Sequence, residues 1–277
     1  MKVPVVITAA GPAHRHLLHQ TLVTPGHQRL SMARFFLDLV EDCAQRVAFV
    51  ISPDAAASLA GLPSSVHLIE QTESRGYAHA LYQARHFVAG EPFLHLVGDH
   101  FYLQDPSAQK GLVQTLVSLY EAERSSISAV HPTREALLHS FGAVAGPALS
   151  SSGATKLYQV ETVLEKPTPT VAEQELISPG LRAGHYLCFF GIHLFTPALL
   201  SILDEYFSQG RAPSSLAEIL QLLAQRERYL AAILPGRRFD LGSPYGLLQA
   251  QLALSLQSPD REEILTLLLE LIARETH

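Results

Sequence analysis

The sequence predicts an α/β protein: a doubly wound, mostly parallel mixed sheet flanked by helices, in a Rossmann-like arrangement. Three observations predict it. Short apolar runs alternate with helical periods through the first half of the chain. The connections between them are short. Several of the runs end at glycine or aspartate, and in open α/β sheets the carboxyl ends of the strands are where ligands bind.

The elements follow in order. Val3 to Thr8 reads as a strand, and its apolar run continues to Ala10 before Gly11 opens the polar loop Pro12-Ala13-His14-Arg15. A strand that stops at a glycine can deliver backbone N–H groups to a phosphate. Met32 to Cys43 carries apolar residues at helical spacing, Val47 to Ile51 and Val66 to Glu70 read as strands, Gly76 to Val88 as a helix, and Phe93 to Val97 as a strand. The second half reads as two longer strands extending the same sheet, Lys156 to Glu165 and Gly184 to Phe195, with Ser150-Ser151-Ser152-Gly153 as a hairpin turn. Pro167 to Pro179 reads as loop. Ser215-Leu216-Ala217-Glu218 is a capping box, and Ser243-Pro244 and Ser258-Pro259 each place a cap before a proline, so three C-terminal helices are expected. The apolar stretch Ile264 to Ile272 is assigned to the core, with a dimer contact as the alternative.

Composition narrows the function. The chain has 277 residues, 47% hydrophobic and 17% charged, with a formal net charge of -6. Lysine and arginine are scattered, which argues against nucleic acid and anionic membranes as partners. No stretch approaches the ~20 apolar residues that span a bilayer. The two cysteines, Cys43 and Cys188, are far apart in different elements and suit a reducing cytoplasm rather than a disulfide framework. Homo-oligomerisation stays open.

Four further segments carry candidate chemistry. Gln71 stands at a strand end ahead of the turn at Gly76; an amide both donates and accepts, which suits the imide edge of uracil or thymine, and a glycine lets backbone approach a base or phosphate. Asp99 and Asp240 each end an apolar run and can serve one crevice as hard oxygen ligands for Mg2+ beside substrate phosphates. Each could instead cap the next helix. Glu165-Lys166-Pro167 ends another strand; the proline forces the chain out of the sheet and leaves an acid for sugar hydroxyls and an ammonium for phosphate. His14, His16 and His19 crowd the first loop without metal-site geometry.

Together these residues resemble the nucleotide-diphospho-sugar pyrophosphorylases, nearest to the bacterial UTP-glucose-1-phosphate uridylyltransferases. The resemblance runs from Val3 to about Leu254. Its carriers are Ala10-Gly11 with Arg15, Gln71 with Gly76-Tyr77-Ala78-His79-Ala80, Asp99, Phe141-Gly142-Ala143-Val144, Glu165-Lys166-Pro167, Gly184-His185-Tyr186 and Phe239-Asp240-Leu241-Gly242. It implies one nucleotidyltransferase domain over 1–277, with a sugar-binding part around 131–200 and C-terminal helices at 244–274. It implies Arg15, Asp99, Lys166 and Asp240 as catalytic residues, and Ala10, Gly11, Gln71 and Gly76 as nucleotide ligands. Gly142, Glu165 and Gly184 fall against the sugar, and Asp99 and Asp240 hold Mg2+. The substrates it implies are a nucleoside triphosphate, UTP by expectation, and a sugar 1-phosphate.

The first loop departs from the family's Gly-x-Gly-Thr-Arg, and Gln20 to Arg29 lacks the lysine that follows it there. That departure carries an alternative, a catalytically impaired member that binds sugar nucleotides as a sensor or scaffold. The residues disfavour two other classes. No paired Asp-x-Asp ends a strand, as a sugar-nucleotide-dependent glycosyltransferase would need, and Gly11 lacks the glycine partners of a dehydrogenase fingerprint.

Overall fold

The computed structural model describes residues 1–11, 17–56, 59, 61–149 and 155–275. Arg15, with the rest of the first loop through His16, and the expected turn Ser150-Ser151-Ser152-Gly153 lie outside the described residues.

From the N-terminus, β1 (Val3–Ala9) leads past a hairpin, β2 (Thr21–Val23) and β3 (Arg29–Ser31), into α1 (Met32–Val40). Then come β4 (Ala44–Ile51), α2 (Pro53–Ala56), β5 (Val66–Glu70), α3 (Tyr77–Gln83) and α4 (Arg85–Val88). β6 (Phe93–Val97) turns into β7 (His100–Gln104), and α5 (Leu112–Glu123) carries the chain to β8 (Ser126–Arg134). Short strands follow, β9 (Ala143–Ala145), β10 (Ala148–Leu149), β11 (Leu157–Gln159) and β12 (Thr162–Leu164), then α6 (Pro169–Glu175) and the long β13 (His185–Phe195). The chain closes with α7 (Ala198–Ser208), α8 (Leu216–Arg226), β14 (Tyr229–Ile233), β15 (Gly236–Asp240), α9 (Gly246–Ser255) and α10 (Arg261–Glu275).

The main sheet runs β10-β11-β14-β8-β13-β6-β1-β4-β5, with β9 paired to β13 and β12 to β9. Its N-terminal part, β6-β1-β4-β5, is parallel. β13 runs antiparallel to both β6 and β8, and β14 is again parallel to β8. β1 is buried at every residue, as a parallel strand covered on both faces must be. Its alternation divides the core: Val3, Val5 and Ile7 pack with Phe36 of α1, Leu116 of α5 and Ala250 of α9. Val6 packs on the other face with Leu81 of α3, Leu203 of α7 and Leu220 of α8. Helices on both faces are the doubly wound arrangement that the sequence predicts.

Four readings need correction. Lys156 to Glu165 is not one strand. Val160 N donates to Tyr229 O at 2.8 Å and Glu161 N to Ala145 O at 2.9 Å, so the chain leaves β14 for β9 between adjacent residues and splits into β11 and β12. Pro167 to Pro179 contains α6, capped by Thr168, whose hydroxyl accepts from Val171 N, with Pro169 at the first helical position. Ser215 caps α8 as expected, but α9 and α10 begin at Gly246 and Arg261, two residues after their prolines. Finally, α10 buries none of its residues, so Ile264 to Ile272 is not core. Among the described residues no helix is long and apolar enough to cross a membrane.

Candidate active site

The site forms where β1, β5 and β6 reach their carboxyl ends. Gly98 N donates to Thr8 O at 2.9 Å, and a Cβ on Gly98 would stand 2.7 Å from that oxygen, so only glycine lets the turn after β6 press against β1. The next residue, Asp99, therefore emerges beside Ala10 and Gly11. Its Oδ1 lies 3.1 Å from His100 Nδ1. β7 pairs with β15 in a two-stranded ribbon that sets Asp240 opposite His100, and Leu241 N donates to Asp99 O at 2.8 Å. The ribbon thus carries Asp240 to the end that holds Asp99. Asp240 Oδ1 also accepts from Gly242 N at 2.9 Å, closing a local turn.

Gln71 continues from β5, its N–H bonded to Ile51 O. Its side chain is buried, and Nε2 lies 3.1 Å from Gly76 O and 2.9 Å from His79 Nδ1. The amide nitrogen is committed to the turn and the first coil of α3. The Oε1 has no partner among the described residues. Gly76 sits at φ 90°, ψ 178°, open to glycine and strained for a side chain, and α3 starts on the following residue.

These groups converge on one cavity of about 390 Å³, lined by Ala10, Gly11, Gln71, Gly76, Asp99, Glu165 and Lys166 together with Tyr77. Residues that the sequence marks in four separate segments meet there. Lys166 adopts a left-handed φ of 45°, which costs a residue with a side chain roughly 1–2 kcal/mol. The conformation sets Lys166 in the cavity wall as the chain leaves β12. Glu165 stands exposed at the cavity rim, and desolvation of its carboxyl raises its pKa against the opposing pull of the Lys166 charge.

A smaller cavity of about 140 Å³ adjoins the first and shares Tyr77, Val97 and Glu165 with it; Ser140, Phe141, Gly142, Phe189, Gly191, His193 and Arg238 are also in its wall. β13 breaks register here, between Phe189 and His193, with Gly191 at φ 91°. A Cβ at Gly191 would stand 2.7 Å from Tyr102 Oη, whose hydroxyl donates to Gly191 O at 2.7 Å. The irregularity opens the sheet where a regular strand would fill it. Arg238 lies beneath, stacked 3.7 Å from the Phe141 ring and donating to Phe189 O. Burial lowers its pKa, while Cys188, Tyr102, Asp240 and Asp99 act the other way, so both aspartates lie within electrostatic reach of one guanidinium.

Behind this wall stands a buried polar chain. His95 Nε2 lies 3.1 Å from Thr8 Oγ1 and 3.3 Å from Tyr77 Oη; the His95 ring stacks on His193, whose Nδ1 is 2.6 Å from Ser128 Oγ. Burial holds His95 well below its ordinary pKa and lowers His193 to about 3, so both rings are neutral.

Of the residues marked in the sequence, Gly142 lines the smaller cavity, Asp240 lines an adjoining cleft of about 610 Å³, and Gly184 lines none of the three. Gly184 has φ 69°, and its carbonyl accepts from Glu135 N, so it turns the chain into β13. Tyr77, His95, His193 and Arg238 were not assigned from the sequence. Arg238 had a signal: it precedes Asp240 by two in a strand and so shares its face. The histidines had a weaker one, as polar interruptions of apolar runs.

The fold and the site define a nucleotidyltransferase, and the chain belongs to that family: residues 36–256 match the nucleotidyl transferase family model. Among curated relatives, it is 30% identical over 196 residues to a UTP–glucose-1-phosphate uridylyltransferase of Streptococcus pneumoniae, covering 70% of this chain and 60% of that protein. A UTP–glucose-1-phosphate uridylyltransferase 1 of Streptococcus pyogenes is 27% identical over 199 residues, 72% of this chain and 61% of the relative. The chain therefore spans about three fifths of the length of the curated relatives it matches. Among solved structures, a UTP-bound UGPase from Acinetobacter baumannii superposes with a TM-score of 0.75 at 20% identity, covering 98% of this chain and 100% of that one. A UDP-glucose pyrophosphorylase complexed with UDP-glucose gives 0.73 at 18% identity, covering 91% and 98%. Both share the fold.

Proposed function

We propose that the chain transfers a uridylyl group from UTP to glucose 1-phosphate, giving UDP-glucose and pyrophosphate. One observation carries this reading: Ala10, Gly11, Gln71, Gly76, Asp99, Glu165 and Lys166 line a single cavity. The activities of the relatives agree with it.

A sugar-phosphate oxygen attacks the α-phosphorus in line; the new P–O bond forms as the bond to the leaving pyrophosphate breaks. No protein nucleophile is required, and positioning with charge neutralisation carries the rate. Gln71 Oε1, left over by the bonds of its Nε2, accepts from the N3–H of uracil, whereas cytosine presents an acceptor there. Gly76 lets the base and ribose approach the backbone. Lys166 neutralises the phosphate of the incoming sugar, and Glu165 receives sugar hydroxyls between the two cavities. The segment 131–200 supplies most of the sugar end, through Phe141, Gly142, Phe189 and Gly191. Arg15 is assigned to the triphosphate from the sequence pattern alone.

The donor set suits magnesium. Among the described residues no three His, Cys, Asp or Glu side chains gather to hold a metal, and magnesium is commonly held by one or two carboxylates with substrate phosphates completing the shell. Asp99 and Asp240, drawn together by the β7–β15 ribbon, would supply those carboxylates. When bound, the ion supplies neutralisation of the phosphates between which the bond is exchanged. Two buried free cysteines, Cys43 and Cys188, are in keeping with a cytoplasmic setting.

The test is pyrophosphate release from UTP, glucose 1-phosphate and Mg2+, with other triphosphates and sugar 1-phosphates alongside. Turnover with this pair above the others is expected. UDP-glucose binding by calorimetry without pyrophosphate release would replace the enzyme with a sugar-nucleotide sensor.

A further inference from the structure

The fold gathers arginines that the sequence scatters. The cleft of about 610 Å³ carries Arg134 from the end of β8 and Arg237 and Arg238 from β15, with Asp240 as the one carboxylate among its described wall residues. A hollow of about 330 Å³ continues it past Pro132 and His185 and adds Lys156 and Arg182. Five of the chain's 20 lysines and arginines thus stand along one groove, in a protein whose formal net charge is -6. A concave wall of one sign focuses the potential and draws in the opposite charge.

These cations are not spent on the fold. Elsewhere arginines pair with carboxylates, Arg46 with Glu91, Arg226 with Glu205 and Arg228 with Glu123, each at 2.7 Å. The side chains of Arg134, Arg182 and Lys156 make no hydrogen bond or ion pair among the described residues, and Arg237 lies 5.7 Å from the Phe239 ring centroid without an ion pair. Arg238 is half-buried, stacks on Phe141 and donates to Phe189 O, which leaves most of its five N–H groups uncommitted. A guanidinium drawn into a wall without a paired carboxylate is costly, and a bound anion relieves that cost.

Charge and size define the ligand. Burial keeps His131 neutral, so three guanidinium charges face the single carboxylate of Asp240. That balance suits a phosphate monoester, which carries about -1.5 to -2 near pH 7, better than a carboxylate with one charge, and the guanidinium fork matches phosphate oxygens. The volume is that of a small-molecule site and far exceeds one phosphate group. Ala10, Gly11, Gln71, Gly76 and Lys166 line the main cavity and not this cleft, which meets the sugar end only through Ser140, Phe141 and Arg238.

We propose that the cleft is a second ligand site, taking a phosphorylated small molecule of sugar-phosphate size whose dianion is held by Arg134, Arg237 and Arg238. The site stands independently of which nucleotide fills the main cavity.

Equilibrium dialysis of the full chain against glucose 6-phosphate, without and with saturating UDP-glucose and Mg2+, tests this. Glucose 6-phosphate has no 1-phosphate to enter the transfer, and its binding is expected to survive saturation with UDP-glucose. Arg134→Gln and Arg237→Gln are each expected to weaken that binding on the order of tenfold, with the affinity for UDP-glucose and the thermal unfolding midpoint near those of the wild type. Beside UDP-glucose, glucose is expected not to bind, and glucuronate, a monoanion, to bind more weakly than glucose 6-phosphate. Loss of glucose 6-phosphate on adding UDP-glucose would place it in the catalytic cavities and overturn the proposal. No retention at millimolar concentration, or an affinity that both arginine variants leave unchanged, would overturn it too. Glucuronate bound as tightly as glucose 6-phosphate would overturn the dianion assignment. If UDP-glucose itself fails to bind, the uridylyl reading falls while the two arginine variants still decide the cleft.

Discussion

Asp240 stands directly across the β7–β15 ladder from His100, the neighbour of Asp99. The pairing joins two carboxylates that lie far apart in sequence, and the Leu241 N to Asp99 O bond fixes the end of the ribbon. If these carboxylates share a divalent cation, Asp99→Asn and Asp240→Asn each remove a ligand while keeping side-chain shape. Each is expected to lower kcat by about 100-fold or more, with the thermal unfolding midpoint held near that of the wild type. Pyrophosphate release at saturating substrate, titrated with Mg2+, measures it. A variant whose metal dependence and turnover match the wild type would remove that aspartate from the site.

Gln71 is held by its own turn, and that makes base selection sensitive to one atom. Gln71→Leu deletes the Oε1 acceptor and leaves Gly76 O and His79 Nδ1 without the amide they now meet. A site built around a hydrogen bond discriminates strongly through it. The KM for UTP is expected to rise on the order of tenfold to a hundredfold, and preference for UTP over CTP to shrink, with the KM for glucose 1-phosphate little changed. Initial rates with both triphosphates check this; unchanged preference would place base reading elsewhere.

The parallel strands were legible because β1, the Val47 to Ile51 part of β4, and β6, broken only by His95, are apolar runs with abrupt polar ends, and the cavity was legible because its residues sit at or just past such ends. Local pattern failed where long-range geometry decides. Lys156 to Glu165 alternates like one strand, yet two neighbouring N–H groups bond to different strands. Thr168-Pro169 carried the start of α6, hidden among further prolines. Arg238 lines the smaller cavity beside the register break at Gly191 in β13, and no local spacing announces a register break. The apolar stretch Ile264 to Ile272 suggested core, yet α10 buries none of its residues, because an apolar stretch does not say which surface, if any, it meets.

Gly142 lies where the sugar meets the wall. A Cβ there would stand 3.0 Å from Phe189 Cδ2 and in ordinary contact, 3.5 Å, with Glu165 Oε2, so Gly142→Ala pushes on the aromatic wall and sets a methyl beside the carboxylate. Small-to-large changes at packed sites cost about 1–3 kcal/mol, and the neighbours here can shift. The expected outcome is a KM for glucose 1-phosphate raised on the order of tenfold, with the KM for UTP within about twofold. Equal increases in both constants would argue that the residue supports the whole cavity rather than its sugar end.

The stacked pair His95 and His193 makes stability depend on pH. Burial keeps both rings neutral, with His193 lowered to about 3 and His95 well below its ordinary value. The unfolded chain presents histidines that protonate near pH 6.5, so as pH falls the unfolded state binds protons that the folded state refuses. The stabilisation from each neutral ring is complete above about pH 6.5 and is lost as pH drops from there toward the folded value, by at most about 1.4 kcal/mol per pH unit. His193→Gln keeps a polar group near Ser128 Oγ, 2.6 Å from Nδ1 in the wild type, and removes the titration. Urea unfolding from about pH 8 to about pH 5 should give a steep acid-side loss in the wild type and a shallower one in the variant. Identical slopes would show that the ring protonates in place and that the fold carries no such acid sensitivity.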